Sequence, residues 1–414
     1  MTVLSNIHAK IGLQSGSYQW VILGVITVAQ TTVIYSGRSI QPLSPFLQSE
    51  LHLKYFQIGI FTSSFFLGAF FLSLPMGWLV DRIGVYWTIF IGQLVIGSFI
   101  LSISFANSFL TICGFLFLAG MGHATINPAT GKAVMSWFSR KGRATAMGVK
   151  QTGFPIGLGL AAATMPALAN TFGWRKAFIV SGLISFFSII LCLVFYRESQ
   201  SKENSNNSKP IHFFEILDIL KNRDLLLLSG LMIMFMCLQT SLETYIVLFF
   251  KDRLLFSVIT AGYFLSLAQL GGVVGRLTWG LASDFFLQGR RRIVLTMIGS
   301  LSFTICLSFA FLSPQFPIWL IVILVFLFGF CAIGWNGIYL TLVAEFAGED
   351  RVGMYTGISL SIAFLGVLFG PPLFGYIVDV TESYSCAWFI FSIIIGLTTL
   401  FVTLIREPSR DITD

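Results

Sequence analysis

Four titratable side chains, Arg38, His123, Lys150 and Glu243, stand deep inside stretches of sequence that are otherwise apolar. Arg38 shares one helical face with Thr31, Tyr35 and Pro42, at three- and four-residue steps. A guanidinium grips a carboxylate or a phosphate with two parallel hydrogen bonds. The plainer role for Arg38 is to run its charge out to lipid headgroups. Lys150 has Phe154 and Gly157 on its face and is open to the same two readings. His123, with Asn127 one turn on, is a proton carrier near neutral pH or a hydrogen-bonded packing residue. Glu243 follows Gln239 by one turn and is the one acid deep in such a stretch. It fits proton coupling, or pairing with Arg38 or His123. Trp335, Asn336 and Tyr339 form an aromatic-polar group suited to stacking on cargo or to packing. Gln269 completes the expected binding set.

The elements that carry these residues are set by composition. The chain has 414 residues, 56% hydrophobic and 10% charged, against about 25% charged in an ordinary soluble domain. So few charges cannot coat a water-soluble globule of this size. A soluble enzyme, a disordered chain and a nucleic-acid module are excluded, and the expected solvent is a bilayer. The apolar runs are too long and lack the alternation of barrel strands, so helices must satisfy the backbone. Twelve spans are expected, at 19–42, 56–80, 86–106, 109–132, 144–169, 175–195, 224–249, 257–283, 293–313, 316–344, 352–379 and 385–405. The polar stretch 197–223 reads as a linker with an amphipathic surface helix at 211–220. The expected domains are therefore a six-helix bundle at 1–196, a cytoplasmic linker at 197–223 and a second six-helix bundle at 224–414.

Most of the 25 Lys and Arg residues fall on the side of the N-terminus. Only Lys54, Arg175, Lys176, Lys251 and Arg253 flank the spans on the other side. The positive-inside bias places both termini in the cytoplasm of a bacterial-type inner membrane and accounts for most of the net charge of +7. The four His and six Cys residues show no metal-ligand spacing, and no Gly-Lys-Ser/Thr phosphate loop exists. No catalytic site, metal or cofactor is expected. The halves also repeat. Gly77-Trp-Leu-Val-Asp81 after span 2 matches Gly280-Leu-Ala-Ser-Asp284 after span 8, and Arg143 and Arg351 open spans 5 and 11. Internal repeats of this kind mark transporters built from duplicated bundles.

The segment Gly77-Trp-Leu-Val-Asp81-Arg82-Ile-Gly84 resembles the loop signature of the major facilitator superfamily, with a second copy at 280–289. Val85 and Tyr86 replace the two basic residues usual after the last glycine. In span 4, Leu116 stands where the family often has Arg, and its glycine run becomes Gly120-Met-Gly122-His123-Ala124. Gly153-Phe-Pro155-Ile-Gly157-Leu-Gly159 loosely resembles the Gly-Pro motif of drug/proton antiporters. Arg38, Pro45, Glu50-Leu51 and Gln57-Ile-Gly59 look more like the organic-anion branches. The resemblance implies an all-α fold of twelve transmembrane helices in two pseudo-symmetric bundles. It also implies alternating access around a central site. Gly77, Asp81, Arg82, Gly84, Arg143, Arg276, Gly280, Asp284 and Arg351 would form its cytoplasmic gate.

The expected function is secondary active transport of a small organic anion or zwitterion by a monomer. Proton-coupled symport through Glu243 and His123 would drive it, and Tyr35, Arg38, His123, Lys150, Gln239, Gln269, Trp335, Asn336 and Tyr339 would meet the substrate. A proton-driven efflux antiporter for drugs or siderophores is the rival. Nucleic acid is not an expected partner; the bilayer is.

Overall fold

The computed structural model describes residues 15–139, 142–198, 223–347 and 352–404. Every regular element among the described residues is a helix, and twelve helices are long and apolar enough to cross a bilayer. Large apolar side chains such as Phe187, Ile190, Leu397 and Phe401 lie exposed on their flanks. A soluble protein would bury them, whereas lipid tails take them without cost.

Span 1 consists of α1 (Ser15–Gly37) and α2 (Ile40–Leu51). It is longer than the 19–42 expected from sequence, running 34 residues from Tyr18 to Leu51. Residues 43–50, with one proline and four polar side chains, lie beyond that expected end. They are helical, with Ser44 and Leu47 buried like Gln41 and Pro42 before them. The Pro45 ring removes the N–H that would bond the Gln41 carbonyl, and the Ser44 hydroxyl donates to that carbonyl at 2.8 Å.

Helix α3 (Tyr55–Ile103) carries spans 2 and 3 and breaks at Gly84, whose φ of 84° and ψ of 169° leave the helical region. Only glycine takes that φ cheaply. A Cβ there would also stand 2.6 Å from Glu198 Oε1, the atom that accepts the Tyr86 amide at 3.0 Å and caps the helix after the break. Span 4 is α4 (Phe109–His123) and α5 (Ile126–Trp137), span 5 is α6 (Arg143–Gln151) and α7 (Gly153–Phe172), and span 6 is α8 (Trp174–Phe195). Beyond the expected linker come α9 (Arg223–Asp252), α10 (Val258–Leu281) with a π turn at Ala282–Phe286, and α11 (Arg291–Phe311). Span 10 is α12 (Ile318–Ala332) and α13 (Asn336–Ala347); α14 (Val352–Thr381) and α15 (Tyr384–Val402) finish the fold. The expected surface helix at 211–220 lies outside the described residues. Ser108, Ser257 and Ser383 cap α4, α10 and α15 through their hydroxyls.

The chain packs as two compact units. Unit 1 takes the described residues up to Ser39, Leu67–Ala161 and those from Leu168 to the end of span 6. Unit 2 takes Ile40–Phe66, Ala162–Ala167 and the described residues from Arg223 onward. Residues 40–66 thus belong by sequence to the first six spans and by packing to the second six. In unit 2, Trp388 is wholly buried and meets Phe374, Phe309, Phe328 and Phe249 with ring centroids 4.6–5.9 Å away. Such aromatic packing absorbs much of the chain's large phenylalanine content.

Candidate functional site

In unit 1, Arg38, His123 and Lys150 each sit at a break in a span, four or five residues before a proline. Arg38 lies between α1 and α2, four residues before Pro42. His123 ends α4, five residues before Pro128. Lys150 is next to the end of α6, five residues before Pro155. A proline inside a helix withholds one N–H from the carbonyl four residues back and crowds it. The carbonyls so deprived are those of Arg38, Ala124 and Gln151. The Arg38 amide still reaches Ile34 O at 3.0 Å, and Ser39 closes a tighter turn onto Ser36 O at 3.3 Å.

The break in span 4 at Ala124–Thr125 recurs in span 10, where α12 ends at Ala332 and α13 begins at Asn336. Gly334 stands at the second break in place of a proline. Interrupted helices at matching positions of two repeats mark the binding site in duplicated transporters.

These groups lie among protein atoms. Arg38 is 8% exposed, His123 8% and Lys150 2%. Beyond Arg38 the span continues through the 12 residues of α2. Tyr35 is buried one turn before it. The His123 ring meets Phe154 edge-on at 6.2 Å and lies near enough to Arg38 for their charges to interact. Lys150 Nζ donates to Asn127 Oδ1 at 3.5 Å. The neighbouring Gln151 accepts from Gln30 Nε2 at 3.3 Å, and Gln30 Oε1 accepts from the Thr130 hydroxyl at 3.3 Å.

In unit 2, α9 presents Gln239 and Glu243 one turn apart. Glu243 Oε1 accepts from Gln239 Nε2 at 3.1 Å and from Gln269 Nε2 of α10 at 3.3 Å. Asn336 Nδ2, at the start of α13, donates to Gln239 Oε1 at 3.4 Å. Four expected residues from three spans therefore form one hydrogen-bonded chain ending on a carboxylate. Trp335 and Tyr339 border it as packed aromatics: Trp335 stacks on Phe235 at 5.2 Å and meets Tyr339 edge-on at 5.7 Å.

Several of the residues expected at the gate have partners within their own unit. Asp81 Oδ1 accepts from Lys132 Nζ at 2.8 Å, and Arg82 lies over the Trp78 ring at 4.1 Å. Gly77 lies a turn before Asp81, and Gly84 makes the break described above. Arg143 donates to the carbonyls of Phe138 and Met135, tying α6 to the end of α5. Asp284, in the π turn after Gly280, pairs with Arg291 Nη1 at 2.7 Å, while Arg291 Nε reaches Glu345 at 3.2 Å. Arg276 donates from Nε to the Ile333 carbonyl at 3.4 Å, at the span 10 break. Arg351 lies outside the described residues. Lys132 and Arg291 read as ordinary topology charges in the sequence, because nothing in their spacing shows which acid each will meet.

Arg291 is 13% exposed and serves two acids. Arg291→Ala is expected to lower the thermal midpoint of the full chain in detergent, by roughly 1–2 kcal/mol for two partly exposed pairs. Asp284→Asn in that background should cost less than it does alone. Additive losses would show that the bridge carries no coupling.

Comparison with known proteins fits this architecture. A hexuronate transporter of Bacillus subtilis (strain 168) is 23% identical over 83% of this chain and 84% of its own. A protein described as a probable galactarate/D-glucarate transporter of the same organism is 24% identical over 90% and 88%. A bacterial homolog of the human lysosomal transporter Spinster, solved inward-facing and occupied, superposes with a TM-score of 0.77 at 14% identity, covering 95% of this chain and 97% of its own. The sequence profile of the Major Facilitator Superfamily matches residues 26–361 and 254–413. The duplicated spans, the paired helix breaks and these matches agree: the chain belongs to the Major Facilitator Superfamily and is a membrane transporter, not an enzyme.

Proposed function

We propose that the protein is a proton-coupled symporter for a small hydroxylated organic acid of the hexuronate or aldarate type. The observation that carries this reading is the set of buried cationic groups at proline-made breaks in unit 1. A charge kept in the interior at a cost of several kcal/mol is kept for a purpose, and Arg38 and Lys150 suit a carboxylate. Tyr35 and His123 lie beside them. In unit 2, the amides of Gln239, Gln269 and Asn336 offer donors and acceptors of the kind that sugar hydroxyls need. Glu243 accepts two neutral amides through one oxygen and is the proton carrier of this scheme, with His123 as a second candidate. Trp335 and Tyr339 give the unit 2 cluster its rigid edge. Two relatives are named for hexuronate and for galactarate or glucarate, which supports the same cargo class.

The Lys/Arg bias supports cytoplasmic termini in a bacterial inner membrane, with the protein acting as a monomer. The domains then run 1–196 and 224–414 about a linker at 197–223. Asp81–Lys132 and Asp284–Arg291 are two inner-side brackets of a gate that also includes Gly77, Arg82, Gly84, Arg143, Arg276, Gly280 and Arg351.

Purified protein in liposomes tests the proposal. Labelled galacturonate and galactarate should accumulate when the outside is more acidic, and accumulation should stop when an ionophore collapses the gradient. Neutral hexoses should not enter. Gradient-driven expulsion of a drug or siderophore, with no sugar-acid uptake, would establish the antiporter instead.

A further inference from the structure

The seam between the start of α3 and α14 is built from groups that water can replace, and its principal tie joins residues far apart in sequence. Helix α3 begins at Tyr55 after His52-Leu53-Lys54, a sequence without a capping side chain. The first amides of a helix have no partner of their own and carry partial positive charge. Asp379, near the end of α14, supplies the cap: Oδ1 accepts from the Tyr55 amide at 2.9 Å and Oδ2 from the Phe56 amide at 2.8 Å.

The next contacts use carbonyls of α14. Pro372 has no N–H for the Leu368 carbonyl, and the Ser63 hydroxyl donates to it at 2.6 Å. The Tyr245 hydroxyl of α9 shares its hydrogen between the carbonyls of Tyr55 at 2.7 Å and Pro371 at 2.9 Å. Between these ties Gly59 lies against Pro371, where a Cβ would stand 2.5 Å from the carbonyl carbon. A cavity of about 290 Å³ lined by Tyr55, Val378, Asp379, Glu382 and Tyr384 adjoins the cap. Water therefore has a route to the carboxylate and to the amides it would leave.

We propose that this seam is the outer latch of the transport cycle, and that Asp379 is its positioning residue. It closes residues 40–66 onto the second six spans and releases them when the outer face must open. The ties described onto residues 55–63 are hydrogen bonds at a helix start or, at Ser63, to a proline-freed carbonyl, so parting the seam trades protein partners for water rather than stranding a buried charge. The inference rests on the reading of the chain as an alternating-access carrier, but its structural part is tested without cargo.

Hydrogen exchange on the full chain in lipid nanodiscs gives that test. In Asp379→Asn, which loses the charge and one acceptor, a peptide covering 53–66 should exchange roughly tenfold faster or more, while 109–123 and 291–311 keep their protection. Tyr245→Phe should loosen the same peptide, and Glu382→Gln should not. In liposomes the loosened variants should show altered KM and maximal uptake together. Unchanged exchange at 53–66 in both variants, or faster exchange throughout the chain, would overturn the latch. Local loosening with unchanged flux would overturn it as well. If the unsubstituted protein moves no sugar acid while the exchange pattern holds, the cargo assignment fails and the seam stands.

Discussion

Arg38→Lys is expected to raise the KM for sugar-acid uptake by roughly ten- to hundredfold, with the protein still folded and in the membrane. Lysine keeps the charge but loses the planar fork that binds both oxygens of a carboxylate. A charge-assisted hydrogen bond is worth about 1.5–3 kcal/mol, and each 1.4 kcal/mol is about a factor of ten in affinity. The residue sits at the break between α1 and α2 and is 8% exposed, so in the proposed scheme the loss falls on cargo. Saturable uptake in liposomes, beside a thermal shift of each variant with galacturonate, measures it. A KM within about twofold of the parent, with the ligand shift kept, would remove Arg38 from the site.

Glu243→Gln should separate cargo movement from its driving force. The substitution keeps Oε1 as an acceptor for Gln239 and Gln269. What it removes is the carboxyl group that the proposed scheme uses as its proton carrier. The expected outcome is loss of uphill accumulation under a pH gradient, while exchange of labelled for unlabelled cargo continues at near the parent rate. Accumulation that persists would move the coupling to His123. Loss of exchange together with accumulation would make Glu243 a cargo contact and not a proton carrier.

The spans were legible because hydrocarbon admits few alternatives to a long apolar helix. The placement of Arg38, His123, Lys150 and Glu243 inside them was legible for the same reason, since a charge in an apolar run stands out. The far end of span 1 was not. Its Gln, Ser and Pro residues imitate a loop, and only the helices packed on Gln41 and Ser44 show otherwise. Gln30, Gln41 and Gln93 were passed over by a search for charge, although a neutral amide in an apolar run is itself a signal. Gln93 donates from Nε2 to Ala29 O, Thr32 and Ser188 within 2.9–3.1 Å. The helix breaks were half legible: Pro42, Pro128 and Pro155 are visible in the sequence, but that each falls just after an interior polar group takes the folded chain to see. Partners such as Lys132 for Asp81 and Arg291 for Asp284 were not legible at all, because charge alone does not choose among several nearby ions.

The cap on Tyr55 has a consequence for how the chain is made. The carboxylate that satisfies this amide is 324 positions downstream, so it leaves the ribosome long after the helix it closes. Until α14 is made, the Tyr55 and Phe56 amides lack their carboxylate cap. The next-to-last helix to be threaded therefore completes the start of the second span, so the two ends of the chain are finished together.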